Sequence, residues 1–203
     1  MTRKGLILAA ALSALLSSEV VAQAPAASVR IRGTIESVDG NTLNVAARDG
    51  QKVTVRLLPD ARVSYPTRLD LTDIKPNDFV GVGWVRGPDG SARAVEVLVF
   101  PAAQRGTGEG ERVWDLLPDS TMTNATVATA AATPEGPVLK LTHKDGTTEV
   151  KVPPAAPVWT PASGDRTLLK PGAYVVLTGQ KQPDGTVQTA SVAVEKDGFK
   201  PPN

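Results

Sequence analysis

The sequence predicts an all-β fold that consists of two small five-stranded barrels in tandem, joined by an ordered linker. The first observation behind this prediction is a self-match. Residues 51–100 overlay residues 146–195 without a gap at a constant offset of 95, with fifteen of the fifty positions identical. The second is an alternation of apolar and polar residues, which is typical of half-buried strands. The third is that no segment keeps a helical period between caps. A duplication of this kind predicts two units that each close their own core.

Alternating residues predict the first three strands of each unit. In the first unit they fall in three runs, 31–35, 43–45 and 53–57. Asp39-Gly40 and Asp49-Gly50 separate these runs, and aspartate–glycine tolerates the positive φ of tight hairpin turns. The second unit carries matching turns at an offset of 96, Glu135-Gly136 and Asp145-Gly146. Its first strand, at 125–132, is the least well defined element because it lacks the Gly-Thr-Ile that opens the first unit.

The last two strands of each unit follow an irregular crossing. Residues 65–76 and 160–171 begin and end near prolines and leave room for at most one helical turn. An apolar strand with internal glycines comes next, and a Pro-Asp-Gly turn leads into the final alternating strand. Glycine inside such a strand often marks the sharp bend that closing a small barrel requires. Five short strands in about 70 residues, with a break before the fourth, fit a small closed barrel of the OB type.

The first 22 residues have the composition of a cleavable secretory signal. Arg3 and Lys4 precede an uncharged run of twelve residues, and small residues then lead to Ala22 or, as the alternative cut, to Ala24. The apolar run is too short to span a bilayer, so we expect export to the periplasm. The predicted divisions of the chain are a signal peptide at 1–22, a first OB-like repeat at 25–100, a linker at 101–122, a second OB-like repeat at 123–197 and a tail at 198–203.

Composition excludes several classes of protein. Since the chain contains no cysteine, it lacks disulfides and the acylated cysteine of a bacterial lipoprotein. Residues 23–203 carry 20 basic and 20 acidic side chains, and this balance argues against nucleic-acid binding. No later segment approaches the roughly 20 apolar residues of a membrane-spanning helix. The first copy is richer in arginine and the second is richer in lysine, and we interpret this difference as divergence on solvated faces. The two groups are not equivalent, because guanidinium binds planar anions better than ammonium does.

Candidate catalytic and metal-binding residues are few. His143 is the one histidine, and without a second imidazole or a thiolate it is predicted to be a surface residue of a strand. The linker carboxylates lie within eleven residues: Glu109, Glu111, Asp115 and Asp119. Carboxylate oxygens bind calcium and magnesium, but this spacing matches no familiar calcium loop. We therefore interpret the cluster as an acidic patch that keeps the linker solvated, and we expect no catalytic residue, no metal site and no cofactor.

The linker also supplies the candidate ligand-binding residues. It begins as a polar, glycine-rich run and ends in an apolar stretch around Trp114, which a pure spacer rarely contains. Trp114 is therefore predicted to dock between the barrels, and contact with a ligand is the alternative. The predicted ligand-binding residues are Trp114, Asp115, Glu109 and Glu111.

Three motifs of the first copy resemble a family of exported bacterial domains of unknown function. They are Gly33-Thr34-Ile35 at the start of a strand, residues 71–78 around Lys75-Pro76, and Pro88-Asp89-Gly90. The family consists of small OB-like barrels that occur singly or in tandem in the bacterial cell envelope, and the resemblance covers about 145 of the 203 residues. The second copy departs from it at 125–132 and at Ala173, which takes the place of Asp78. The resemblance implies a fold and a compartment and leaves the activity open.

These observations predict a periplasmic binding or structural module without catalysis, which contacts an envelope protein or a small ligand through the barrel cleft and the linker. The first alternative is an accessory role in metal handling through the linker carboxylates. The second is a hydrolase, for which the sequence offers no convincing general base. We expect neither a nucleic-acid partner nor a membrane span.

Overall fold

The computed structural model describes residues 27–133 and 136–202, so the predicted signal peptide at 1–22 lies outside the described residues. The chain is all-β, as predicted, and the described residues contain no α-helix. No helix among them is long and apolar enough to cross a membrane. The described part of the chain contains three short 3-10 turns, at Leu71–Asp73, Ala102–Gln104 and Arg166–Leu168. The strands are β1 (Ser28–Asp39), β2 (Thr42–Ala47), β3 (Lys52–Leu69), β4 (Phe79–Arg86), β5 (Ala92–Val99), β6 (Gly110–Trp114), β7 (Ser120–Thr133), β8 (Gly136–His143), β9 (Gly146–Lys151), β10 (Val158–Gly164), β11 (Tyr174–Lys181) and β12 (Val187–Val194).

Five strands form a closed barrel, which confirms the predicted five-stranded architecture. Strand β1 pairs antiparallel with β2 and with β11, β2 pairs with β3, and β11 pairs with β12. A parallel pairing of β12 with β3 closes the cycle. Gly50 at φ 86° supplies the positive φ that the predicted turn between β2 and β3 requires. The barrel encloses apolar side chains from alternate positions of its strands, among them Ile35, Val45, Val55, Val175 and Val194.

The closed barrel is not built from one contiguous copy. Strands β1, β2 and β3 come from the N-terminal half of the chain, whereas β11 and β12 come from the C-terminal half. This differs from the expectation that residues 25–100 would close a core by themselves. The reason is that β3 is eighteen residues long and carries the chain out of the closed barrel, so that β4 and β5 pair elsewhere.

The remaining parts of both halves form a second strand group, which consists of β4, β5, β7, β8 and β9. Strand β4 pairs antiparallel with β5 and β7, and β8 pairs antiparallel with β7 and β9. A short parallel pairing joins β5 to β9 at Ala92 with Val150 and at Arg93 with Lys151. This group encloses its own cluster of buried residues, in which Val80 and Val97 from the N-terminal half meet Leu139 and Leu141 from the C-terminal half.

A two-stranded ribbon connects the closed barrel with the second strand group. The C-terminal part of β3 pairs antiparallel with β10 from Val63 opposite Gly164 to Leu69 opposite Val158. Pro66 faces Pro161 at the centre of the ribbon, and these two residues are also partners in the sequence self-match. The ribbon is therefore symmetric about its centre, and it is where the chain crosses between the two sets of strands.

The predicted linker is ordered, and part of it is a strand. Strand β6 pairs antiparallel with β7, from Gly110 opposite Asn124 to Trp114 opposite Ser120. A tight turn joins the two strands, with Asp119 at φ 57° and the Ser120 hydroxyl within hydrogen-bond distance of two acceptors, the carbonyl oxygens of Trp114 and Leu117. This arrangement holds Trp114 and Asp115 beside the closed barrel, as described next.

Candidate functional site

A cleft of about 380 Å³ opens at one end of the closed barrel. Its volume falls within the range of small-molecule binding sites. Residues of the barrel wall form an apolar lining: Val29, Ile31, Ala47, Val53 and Val187. Charged residues surround this lining: Arg30, Arg32, Arg48, Lys52, Lys181, Asp49 and Asp115. We call this region the basic cleft, because five of these charged side chains are cationic and two are anionic.

The hairpin between β2 and β3 carries part of the basic cleft. The backbone amide of Ala47 donates to the carbonyl of Gln51 over 2.8 Å, and the amide of Gly50 donates to the carbonyl of Ala47 over 2.9 Å. The amide of Arg48 donates across to the carbonyl of Arg32 over 2.7 Å. These bonds fix the turn against β1, so Arg48 and Asp49 lie at the rim beside Arg32.

Asp115 of the linker forms an ion pair with Arg32 on the wall of the basic cleft. Both terminal nitrogens of the guanidinium donate to the carboxylate, over 2.7 and 2.9 Å. The side chain of Arg32 is 6% exposed, whereas that of Asp115 is 58% exposed. The hydrogen bonds from Arg32 lower the pKa of Asp115, and the positive charges of Arg32 and Arg30 act in the same direction. Asp115 is therefore ionised at neutral pH and compensates a buried cation that would otherwise be costly.

Trp114 lies next to two guanidinium groups. The Cζ atom of Arg30 is 4.1 Å from the centroid of the indole ring, and that of Arg112 is 5.2 Å away. Both distances allow a cation–π interaction. Partial burial and the neighbouring charge of Arg32 lower the pKa of Arg30, but a guanidinium stays protonated at any physiological pH. Trp114 and Asp115 thus attach the linker to β1, while β6 is paired with the second strand group. The sequence predicted that Trp114 docks between two barrels, and the contact observed here is with Arg30 of β1.

Among the described residues, three cations of the basic cleft have no direct ion pair: Arg48, Lys181 and Arg30, which lies over the ring of Trp114 instead. Lys52 lies 3.2 Å from the carboxylate of Glu36, and Arg32 is bound to Asp115. Within residues 27–133 and 136–202, no carboxylate lies within 4.0 Å of the charged groups of Arg48 and Lys181. Because the chain from residue 23 onward is formally neutral, this excess of positive charge is a local property of the cleft.

The four candidate residues of the linker are only partly brought together. Asp115 lines the basic cleft, and Trp114 lies beside it against Arg30 of β1. Glu111 instead accepts hydrogen bonds from the hydroxyls of Thr148 over 2.5 Å and Thr123 over 3.1 Å, in the second strand group. Glu109 is exposed in the turn that precedes β6. Among the residues that the structure describes, no group of three or more His, Asp or Glu side chains could hold a metal ion.

His143 is buried, and the prediction that it lies on the surface is wrong. It is 8% exposed, and its Nε2 atom lies 3.2 Å from the Thr148 hydroxyl and 3.7 Å from Oε1 of Glu111. The alternation along β8 explains its burial, because residue 143 shares a face with the buried residues Leu139 and Leu141. The buried imidazole therefore has a hydroxyl as its hydrogen-bond partner and a carboxylate nearby.

Sequence reasoning did not identify Arg48, Lys52 and Lys181 as candidate residues. The arginine excess of residues 29–100 is the one signal in the sequence, and it is equally typical of solvated faces. Arg48 and Lys181 belong to different halves of the chain, and they reach the same cleft only because β11 pairs with β1. The order of residues in the sequence does not show that Arg48 and Lys181 lie in the same cleft.

Comparison with known proteins gives one family match. Residues 32–97 match the model of the family described as Domain of unknown function (DUF5666). The matched segment is about a third of the chain and runs from β1 into β5. It includes Arg32, Arg48 and Lys52 of the basic cleft, whereas Asp115 and Lys181 lie outside it. A search of curated proteins gives no match, and a search of solved structures gives none either. The match supports the resemblance to a family of unknown function.

Proposed function

We propose that this protein is an exported, periplasmic binding module without catalytic activity, and that its ligand or partner contacts the basic cleft. The observation that carries the proposal is the composition of this cleft. It combines an apolar lining with Arg48 and Lys181, which lack direct ion pairs, and the linker completes its wall through Asp115. The cleft places seven charged residues around a concave apolar lining, and polar groups that converge on an apolar concavity are typical of a ligand site.

Export is supported by the composition of the first 22 residues, and a tandem origin is supported by equivalent strand pairings. Phe79 of β4 faces Thr126 of β7, and at the related positions Tyr174 of β11 faces Thr34 of β1. The two parallel pairings are also equivalent, because β5 pairs with β9 as β12 pairs with β3. We infer that the second strand group is a second OB-like barrel that arose by duplication and that the two barrels exchanged their last two strands.

Binding without catalysis fits the side chains of the basic cleft. General acid–base catalysis favours a group whose pKa lies near the working pH. Asp115 does not meet this condition, because its ion pair with Arg32 lowers its pKa. His143, the residue type that general acid–base catalysis uses most often, lies in the second strand group and does not line the cleft. Metal handling through the linker carboxylates finds less support, since Asp115 is bound to Arg32 and Glu111 accepts bonds from two threonines.

The proposal is tested by site-specific photo-crosslinking in cells. A photoreactive amino acid replaces Gln51, which is exposed and lines the basic cleft, and in a control variant it replaces Lys140, which is exposed on β8. We expect an adduct, visible by mass spectrometry of the purified protein, at position 51 and none at position 140. Fractionation of the same cells should recover the protein in the periplasm with a mature N-terminus at residue 23. Absence of an adduct at position 51 would count against a binding role for this cleft.

A further inference from the structure

We propose that the ligand of the basic cleft is an amphiphilic oxyanion, which is an apolar chain of several carbon atoms that carries one carboxylate or phosphate group. This inference rests on the proposed function, because it names the class of ligand for the same cleft. Two features of the cleft carry it, an apolar surface that is incompletely covered and a set of cations around it.

The apolar lining is continuous with the core of the closed barrel. Ile31 and Val187 are buried core residues, whereas Val29, Ala47 and Val53 are half-buried and pack against that core. Half-buried aliphatic side chains at the end of a barrel leave apolar surface in contact with water. A hydrocarbon chain placed on them would remove this surface from water, which is the main favourable contribution to binding of apolar groups.

The cations decide the polar part of the ligand. Arg48 and Lys181 are exposed and lack a carboxylate partner among the described residues, so they are available to an incoming anion. The pair of Arg32 and Asp115 shows that the wall of this cleft accommodates a carboxylate in a two-pronged contact with a guanidinium. A neutral hydrocarbon would have to desolvate these cations without compensation, which is unfavourable.

The other classes of anion fit less well. A small inorganic anion would satisfy the cations but leave the apolar lining exposed to water. A polyanion such as a nucleic acid requires an extended basic face, whereas the positive excess here is confined to one cleft that also contains Asp49 and Asp115. A ligand with one anionic group and one apolar chain matches both parts of the site.

The inference is tested by isothermal titration calorimetry of the mature chain with three matched probes, octanoate, acetate and octan-1-ol. We expect octanoate to bind at least ten-fold more tightly than either of the other two, because only octanoate combines chain and charge. The double variant Arg48→Gln/Lys181→Gln should weaken octanoate binding at least ten-fold without weakening octanol binding. Val53→Thr, which keeps the shape of the side chain, should weaken octanoate binding several-fold. Lys140→Gln, on the second strand group, serves as the matched control and should change nothing.

Two outcomes would overturn the inference: equal affinities for octanoate and octanol, or a double variant that binds octanoate like the wild type. Cosedimentation with phosphatidylglycerol vesicles, with phosphatidylcholine vesicles as the neutral comparison, identifies the source of the ligand. Octanoate binding with selective vesicle binding supports an anionic lipid, and octanoate binding alone supports a free acid. An adduct at position 51 together with absent octanoate binding refutes this inference and leaves the proposed binding role standing, whereas absence of both refutes the binding role itself.

Discussion

Because each core contains strands of both halves, cutting the linker is not expected to separate the halves. A recognition site for a specific protease, inserted between Gly106 and Thr107, lies in an exposed turn before β6 and interrupts no strand. Cleavage of the folded protein then yields one fragment that carries β1–β5 and one that carries β6–β12. If each half closed its own core, the fragments would part as two independent domains. With exchanged strands, neither fragment contains a complete core.

The strength of the association follows from the composition of the two cores. Seven of the fourteen buried residues in the closed barrel come from each half, and the cluster in the second strand group divides six to seven. Dissociation of the fragments therefore requires unfolding, which costs at least about 5 kcal/mol for a typical domain. In the uncut chain, the linker holds the two halves at an effective concentration of about 1 mM. Multiplying this concentration by the equilibrium constant that corresponds to about 5 kcal/mol gives a dissociation constant for the fragments of about 0.2 µM or lower.

The assay is size-exclusion chromatography with multi-angle light scattering after complete cleavage. The protein concentration is about 10 µM, which is well above the dissociation constant estimated above for the fragments. We expect a single species with the mass of the uncut chain and a circular dichroism spectrum identical to it. The uncut insertion variant is the control for the effect of the inserted residues. Two separate species, each folded by circular dichroism, would refute the exchanged arrangement and support two autonomous barrels.

Three further predictions concern stability. Asp115→Asn should lower the unfolding free energy by about 1–3 kcal/mol, between the values for exposed and buried ion pairs, because it leaves Arg32 buried without a full counter-charge; urea titration measures this. Folding lowers the pKa of Asp115, so this carboxylate stabilises the folded state fully at pH values above the pKa of an unfolded aspartate, near 3.9. The stabilisation is lost as the pH falls through the lower pKa of the folded state. The difference in unfolding free energy between wild type and Asp115→Asn should therefore be constant near neutral pH and disappear in strong acid. Val175→Asp should disrupt the closed barrel, and Val80→Asp should disrupt the second strand group, because each change places a charge in an apolar core. Lys144→Ala, at an exposed position, is the control and should leave the melting temperature unchanged. A Val175→Asp variant that is as stable as the wild type would contradict the strand assignment.

Much of the fold could be predicted from the sequence because it depends on local patterns. The alternation through Ile35 and Val45 and the Asp49-Gly50 turn determine which side chains enter the core and where the chain reverses. The partner of each strand was not predictable, because strands with similar local patterns in the two halves can pair within one half or between the halves. The choice lies in the course of β3 beyond Val63, which pairs with β10 and leads away from the closed barrel.

The first strand of the second copy shows a different limit. Thr126 and Val127 in β7 occupy the positions of Thr34 and Ile35 in β1, at an offset of 92 rather than 95. Ala125 replaces Gly33, whose backbone lies so close to β2 that an added Cβ atom would be 2.3 Å from the carbonyl oxygen of Ala46. The change of offset falls in a hairpin, where insertions are tolerated, so a gap-free overlay does not find the equivalent residues.

Some residues of the candidate site can be recognised from local sequence, whereas others depend on which strands pair. Trp114 and Asp115 were identifiable because a tryptophan in a glycine-rich linker is unusual, and this signal needs no knowledge of the fold. The contribution of Arg48 and Lys181 depends on the pairing of β1 with β11, which joins residues from opposite ends of the chain. Charge composition alone therefore indicated an arginine-rich copy but not a cleft.

The dependence of the basic cleft on both halves gives a last prediction that links binding to assembly. Arg48 and Val53 lie on the N-terminal fragment of the cleaved protein, whereas Asp115, Lys181 and Val187 lie on the C-terminal fragment. A ligand of this cleft should therefore bind the paired fragments and neither fragment alone. By linkage, ligand at ten times its dissociation constant should tighten fragment association by about ten-fold, which fluorescence anisotropy of a labelled fragment can measure. An amphiphilic anion could instead bind the cleaved complex without changing the affinity of the two fragments for each other. Such an anion would have to bind within one half, which would contradict the assignment of the cleft to the closed barrel.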